Sequence, residues 1–154
     1  MADAVTSQTL SDGDRIAVVK FTNISDGNGE ASVKKVDVSA LAASVTTGAT
    51  PARATIEQIW YDIGGMRVAL EWNATTNVVA AVLGGSAAAG NVSGHMDFRS
   101  FGGIKNTEAS GVNGDIDLTT HGHTAHDHYT IVLQLRKSYS VSYTHLTLPT
   151  IYSV

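Results

Sequence analysis

The chain has 154 residues, of which 43% are hydrophobic, with a formal net charge of −4 and no cysteine. A chain of this length buries about two-thirds of the surface that its unfolded state exposes, which is enough for one domain with its own core. The absence of cysteine excludes disulfides, thiol catalysis and cysteine metal sites, and a negative charge without a basic cluster argues against a nucleic-acid partner.

The beginning of the chain and its apolar segments bear on targeting. The N-terminal stretch MADAVTSQTLSDGDR carries acidic residues and no apolar run, so we expect no signal peptide there. No segment approaches the ~18 consecutive apolar residues of a membrane-spanning helix. We therefore expect no membrane partner.

Alternation of apolar and polar residues runs through most of the chain and predicts β-strands. Residues 15–24 (RIAVVKFTNI) and 77–83 (NVVAAVL) are apolar on both faces, which is typical of central strands that are covered on both sides. The alternation slips between Val33 and Val36, which indicates a β-bulge. Residues 52–63 (ARATIEQIWYDI) are predicted to form one long strand.

In the second half of the chain the alternation is cleaner, and it predicts which side chains face a core. Glycine, asparagine, serine and aspartate fill the segments between the strands, as turns require. Short strands separated by such turns predict an all-β fold, an antiparallel β-sandwich or jelly-roll-like single domain over residues 1–139. The predicted core positions are Met66, Val68, Leu70, Trp72, Met96, Phe98, Ile116, Leu118, Tyr129, Ile131, Leu133 and Leu135.

The segment HGHTAHDH contains His121, His123, His126 and His128 and is the one chemical cluster in the sequence. If the two flanking strands pair as a hairpin, His121 lies opposite His128 and His123 opposite His126, all on the solvent face. Imidazoles arranged in this way could bind zinc, nickel or iron. Thr124 and Ala125 make a poor two-residue turn, however, and an exposed face offers few partners to orient metal ligands. We therefore expect a solvated polar tip, with no metal and no cofactor.

Other candidate sites are weaker. Asp115 and Asp117 share one strand face and suggest paired carboxylates, but without a cleft we expect a solvated strand face. Trp60, Tyr61 and Trp72 could form a platform on which a sugar stacks, although Trp72 lies in phase with core residues. The sequence shows no combination of nucleophile, base and orienting group. We expect no catalytic residues and no enzymatic activity.

The end of the chain differs from the rest, because residues 138–154 contain no Lys, Arg, Asp or Glu. Sequencing-library adapter DNA, translated in one frame, gives Val-Ser-Tyr-Thr-His-Leu-Thr-Leu-Pro-Thr, which is residues 141–150 without a mismatch. The preceding codon fits Ser140, index codons fit 151–153, and the adapter then encodes Val154 and a stop. We interpret residues 140–154 as a non-native, adapter-derived tail of a sequence assembled from environmental or library DNA.

A series of strand and turn phrases runs through residues 1–137. It comprises the opening 42 residues, IEQIWYDIGGMRVALEWNATTN at 56–77, GHMDFRSFGG at 94–103, GDIDLTT at 114–120 and YTIVLQLRK at 129–137. In these phrases the chain resembles small virion structural proteins of marine tailed phages, including cyanophages. The histidine segment is not part of the shared pattern.

This resemblance implies a non-enzymatic component of the virion, a capsid decoration or auxiliary protein that assembles in the host cytoplasm. Such a protein acts as a homo-oligomer and binds the capsid lattice, and small β domains suit symmetric packing of this kind. The alternative is a host- or glycan-binding β-sandwich module of a tail or head fibre, which would display loops 84–94 and 121–128. An exposed aromatic platform would favour the alternative, and burial of Trp60 and Trp72 would count against it.

Overall fold

The computed structural model describes residues 4–84, 91–105 and 113–139, so the predicted adapter-derived tail, 140–154, lies outside the described residues. Nine strands and two short 3-10 turns, Val38–Ala40 and Arg99–Phe101, occur in this part of the chain. The strands are β1 (Ala4–Asp12), β2 (Ile16–Ile24), β3 (Val33–Val36), β4 (Pro51–Gly64), β5 (Arg67–Trp72), β6 (Val78–Gly84), β7 (Asn91–Asp97), β8 (Ile116–His121) and β9 (His128–Tyr139). Within the same part, no helix is long and apolar enough to cross a membrane.

The strands form two sheets, and every pairing is antiparallel. One sheet has the order β1-β2-β9-β4-β7 and the other the order β3-β8-β5-β6. Strands β2 to β9 pair as the two arms of one long hairpin would, with the pairs β5–β6, β4–β7, β3–β8 and β2–β9. Folding such a hairpin into two sheets gives the connectivity of a jelly roll. The predicted antiparallel β-sandwich of jelly-roll type is confirmed.

The core lies between the two sheets, where each sheet buries one face. Met66, just before β5, and Val68, Leu70 and Trp72 within it are all buried, Trp72 with 2% of its surface exposed. On β9, in the opposite sheet, buried positions alternate with more exposed ones. Its buried hydrophobic residues belong to the same core cluster as those of β5. The predicted core faces of β5, β8 and β9 are therefore confirmed. Met96 and Phe98 are only partly buried at the margin of this core.

Two predictions about covered strands are wrong. β2 alternates buried and partly exposed residues, because only its inner face meets the opposite sheet. β6 is an edge strand of the four-stranded sheet, and Val79 and Val82 each expose 54% of their surface. A run of valine and alanine does not show whether a strand has a partner on both sides or a covering layer on both faces. The alternation does not predict β1, because this strand pairs only with β2 and has no face in the core.

Local irregularities follow the sequence more closely. The register of β3 shifts between Lys34 and Val36, as the slipped alternation predicts. The segment predicted as one long strand forms β4, which has 14 residues and two register shifts against β9, between Pro51 and Arg53 and between Ile56 and Gln58. β4 lies between β9 and β7 in the five-stranded sheet and carries the residues of the candidate site.

The predicted hairpin between the strands that flank the histidines is wrong. β8 belongs to the four-stranded sheet and β9 to the five-stranded sheet, so residues 122–127 cross from one sheet to the other. Both strands have a clear core face. The same alternation arises when two strands pair in one sheet and when they face each other across a core from two sheets. In this fold Leu118 and Ile131 contribute to the same core from opposite sheets.

Candidate binding face

The crossing between the sheets separates the histidines. The His123 ring lies against Gly29, where an added Cβ would come within 2.2 Å of its Cε1 atom. The His128 ring lies against Gly64 in the same manner, with 2.5 Å between an added Cβ and Cε1. Both rings are half-buried, contrary to the predicted solvent face. The two rings thus pack on glycines of two different segments of the chain.

His121 and His126 are exposed, as predicted, but they do not complete a ligand set. His126 occupies the tip of the crossing with a φ of 76°. Asp127 fixes this turn by accepting hydrogen bonds from the backbone N–H (2.7 Å) and hydroxyl (3.1 Å) of Thr124. Among the residues that the structure describes, no three His, Asp or Glu side chains form a group that could hold a metal ion.

The expectation of a solvated face for Asp115 and Asp117 is wrong, since these residues are 5% and 2% exposed. Asp115 accepts a hydrogen bond from the backbone N–H of Val38, at 2.9 Å, at the first residue of the first 3-10 turn. Asp117 accepts hydrogen bonds from two asparagine amides in the turn after β5, at 2.8 and 3.0 Å. Loop segments that the strand pattern does not predict therefore cover both carboxylates.

A second set of polar side chains, the Glu30 cluster, is also closed to solvent. The Glu30 carboxylate pairs with Lys35, and their side chains are 6% and 2% exposed. The Tyr129 hydroxyl and the Asn23 amide also donate hydrogen bonds to Glu30. Burial alone would raise the pKa of Glu30, but these hydrogen bonds outweigh it, and the pKa lies below its usual value. The cluster ties the segment before β3 to β2 and β9.

The outer face of the five-stranded sheet is different, because it presents an aromatic ring. Trp60 lies on β4, where its cross-strand partners are His95 on β7 and Val132 on β9. The Trp60 and His95 rings are stacked, with centroids 4.8 Å apart and planes inclined by 9°. Trp60 keeps 36% of its surface exposed, whereas Trp72 lies in the core. One of the two tryptophans predicted as a platform is therefore available at the surface.

A chain of hydrogen bonds holds the His95 ring in this position. Nε2 of His95 lies 2.8 Å from Oε1 of Gln58, and the Gln58 amide donates to Gln134 at 2.8 Å. Gln134 in turn donates to Glu57 at 3.0 Å, and Arg136 donates to the other oxygen of that carboxylate at 2.6 Å. The ladder crosses from β7 over β4 to β9. The ring pair is thus oriented by the sheet itself.

A shallow depression of about 360 Å³ lies beside Trp60. The residues that line it beside the indole are Tyr61, Asp62, Ser93, Gly94, Thr130 and Val132. Asp62, Ser93 and Thr130 contribute a carboxylate and two hydroxyls. These three polar residues form one row across the sheet, since Asp62 pairs with Ser93 on one side and Thr130 on the other. The depression therefore combines an exposed indole with groups that accept and donate hydrogen bonds.

A charged pair, Asp97 and Arg99, borders this face at the end of β7. The Arg99 guanidinium donates hydrogen bonds to Asp97 at 2.9 and 2.7 Å. These bonds, together with the backbone N–H of Arg99, lower the pKa of Asp97 to about 2. Because its charges are paired with each other, this border adds little net charge to the face.

Comparison with protein-family models, curated proteins and solved structures finds no match for this chain. The sequence pattern alone did not identify His95, Gln58 and Gln134 as neighbours of Trp60. All three lie at polar positions of their strands, but their proximity depends on the sheet order β9-β4-β7.

Proposed function

We propose that this chain is a non-enzymatic structural protein of a phage virion, a capsid decoration or auxiliary component. It acts by self-association and by binding to the capsid lattice. The resemblance over residues 1–137 supports this function, and jelly rolls are common among viral capsid domains. Because one fold serves many functions, the proposal depends on the surfaces that this chain exposes.

The observation that carries the proposal is an edge strand without charge. β6 contains no charged residue and exposes Val79 and Val82, although one bulge interrupts its pairing with β5. Edge strands of proteins that remain monomeric are usually short, charged or covered. β3, at the other edge of the same sheet, fits that description with four residues that include Lys34 and Lys35. The β6 edge is therefore suited to pair with another copy.

A lysine on this edge tests self-association. Val82→Lys places a charge at the proposed contact and should convert the oligomer of the full chain to monomer in sedimentation velocity, with an unchanged far-UV spectrum. Ile24→Lys is the matched control, because Ile24 is 57% exposed on β2 in the other sheet. A monomeric parent chain, or equal dissociation by both variants, would contradict the proposed edge.

Assignment to the virion has its own test. Long-read sequencing of the source DNA should show capsid, portal or tail genes beside this gene. It should also show a reading frame that departs from the adapter-derived residues near Ser140. Metabolic or secretion genes as neighbours would contradict the virion assignment.

A second candidate function is a host- or glycan-binding module, and the exposure of Trp60 favours it. The stacked pair of Trp60 and His95 provides the aromatic platform that this alternative requires. Burial of Trp72 reduces the platform to a single tryptophan. Jelly-roll architecture also occurs in lectin domains, so the fold is compatible with both candidates.

A further inference from the structure

We propose that the depression beside Trp60 is a binding site for a ring of a neutral saccharide. The inference rests on the second candidate function and gives it a place and a ligand class. It does not depend on self-association, because the depression lies on the five-stranded sheet and the β6 edge belongs to the other sheet.

The first argument is the indole itself. The C–H groups on one face of a pyranose are apolar, and an aromatic ring is the protein group that such a face packs against. Trp60 is fixed before any ligand arrives, because His95 stacks on it and Gln58 holds the imidazole. A ring that is already ordered loses little conformational entropy on binding, which favours affinity for a weakly interacting ligand.

The second argument is the chemistry around the ring. Asp62 can accept hydrogen bonds from sugar hydroxyls, and the hydroxyls of Ser93 and Thr130 can both donate and accept. Among the described residues that line the depression there is no Lys, Arg or His, so the site offers no counter-charge to a phosphate or carboxylate ligand. A neutral, hydroxyl-rich ligand is therefore the class that fits.

The third argument separates a saccharide from a protein partner. Protein interfaces are centred on a contiguous apolar patch with several large side chains. Here the indole of Trp60 and the side chain of Tyr61 lie beside a carboxylate and two hydroxyls. The depression, at about 360 Å³, lies within the roughly 300–1,000 Å³ range of small-molecule sites. These properties favour a sugar ring over a protein surface.

The experiment titrates the full chain with neutral hexasaccharides of glucose, mannose, galactose and N-acetylglucosamine and measures tryptophan fluorescence. The chain has two tryptophans, and only Trp60 is accessible to a ligand. We expect saturable binding of at least one saccharide in the high-micromolar to millimolar range. Trp60→Thr should weaken that binding by about tenfold or more in calorimetry, since one stacked ring supplies much of so small an affinity.

Two further variants make the result specific. Asp62→Ala removes the carboxylate but keeps the ring, and it should also weaken binding. Phe101→Ala, which removes another exposed aromatic ring outside the depression, should leave the affinity unchanged. The proposal is overturned if no saccharide of the panel binds at millimolar concentration, or if Trp60→Thr binds as well as the parent. Sedimentation of the same preparations tests self-association separately, so either failure can be recognised without the other.

Discussion

The Glu30 cluster and the Trp60 face are both organised by hydrogen bonds, yet one is closed and the other is open. Glu30 and Lys35 are almost fully buried, and Tyr129 and Asn23 complete the hydrogen bonding of the carboxylate. Trp60 is also held in place by its neighbours, but more than a third of its surface remains exposed. The closed cluster can contribute only to folding, whereas the open face orients a ring that a ligand can reach.

The comparison also explains why polar residues alone are a poor guide to function. Asp115 and Asp117 resemble a catalytic pair in the sequence, but each carboxylate is buried under a loop that donates hydrogen bonds to it. Carboxylates that are buried under such loops stabilise the fold without offering a site to a ligand, although Oδ1 of Asp117 has no hydrogen-bond partner among the described residues. The exposed ring of Trp60, in contrast, is the feature on which the proposed saccharide site rests.

The largest expected effect comes from neutralising the closed cluster. Glu30→Gln leaves the Lys35 ammonium buried without its counter-charge, and removal of one partner of a buried ion pair costs about 3 kcal/mol. Urea unfolding of the full chain measures this loss. Glu71→Gln is the control, because Glu71 is half-buried and accepts a hydrogen bond from the Thr119 hydroxyl at 3.1 Å. It should cost less than about 1 kcal/mol, and an equal cost for both variants would contradict the special role of Glu30.

A pH series sharpens the same contrast. Because the folded-state pKa of Glu30 is below its ordinary value of 4.5, the carboxylate contributes stability that is fully present above that value. This contribution is lost as the pH falls through the lower, folded-state pKa. We therefore expect the parent chain to lose more unfolding free energy than Glu30→Gln between neutral pH and acid. Parallel pH curves for the two chains would contradict this account.

The smallest effect is expected at the open face. Trp60→Thr keeps a residue of high β propensity in β4 but removes the stacked ring, and cross-strand pairs contribute about 0.2–1 kcal/mol. We expect the variant to lose at most about 1 kcal/mol of unfolding free energy in urea. A loss near that of Glu30→Gln would place Trp60 among the core residues.

The sequence predicted the features that depend on burial along one strand. The core faces of β5, β8 and β9 and the bulge at Lys34 each leave a periodic trace, because successive side chains point to opposite faces. The fold class follows from many such strands. Strand order leaves no such trace, and for this reason the predicted pairing of β8 with β9 and the predicted placement of their histidines opposite one another are wrong.

Parts of the candidate site could be predicted and parts could not. Trp60 and Tyr61 stand out as aromatic residues in a long strand, and Trp72 is assigned to the core by its phase alone. The stacking of His95 on Trp60 depends on the pairing of β7 with β4, two strands that are far apart in the chain. Exposure of β6 depends equally on its place at a sheet edge, which composition does not encode.

Side-by-side unfolding of Glu30→Gln and Trp60→Thr in urea tests most directly the claim that one cluster supports folding while the other face is open. The account predicts a loss of about 3 kcal/mol for Glu30→Gln and at most about 1 kcal/mol for Trp60→Thr, with native far-UV spectra for both. If Trp60→Thr unfolds as readily as Glu30→Gln, the indole is a core residue. In that case the outer face has no free ring to offer a saccharide.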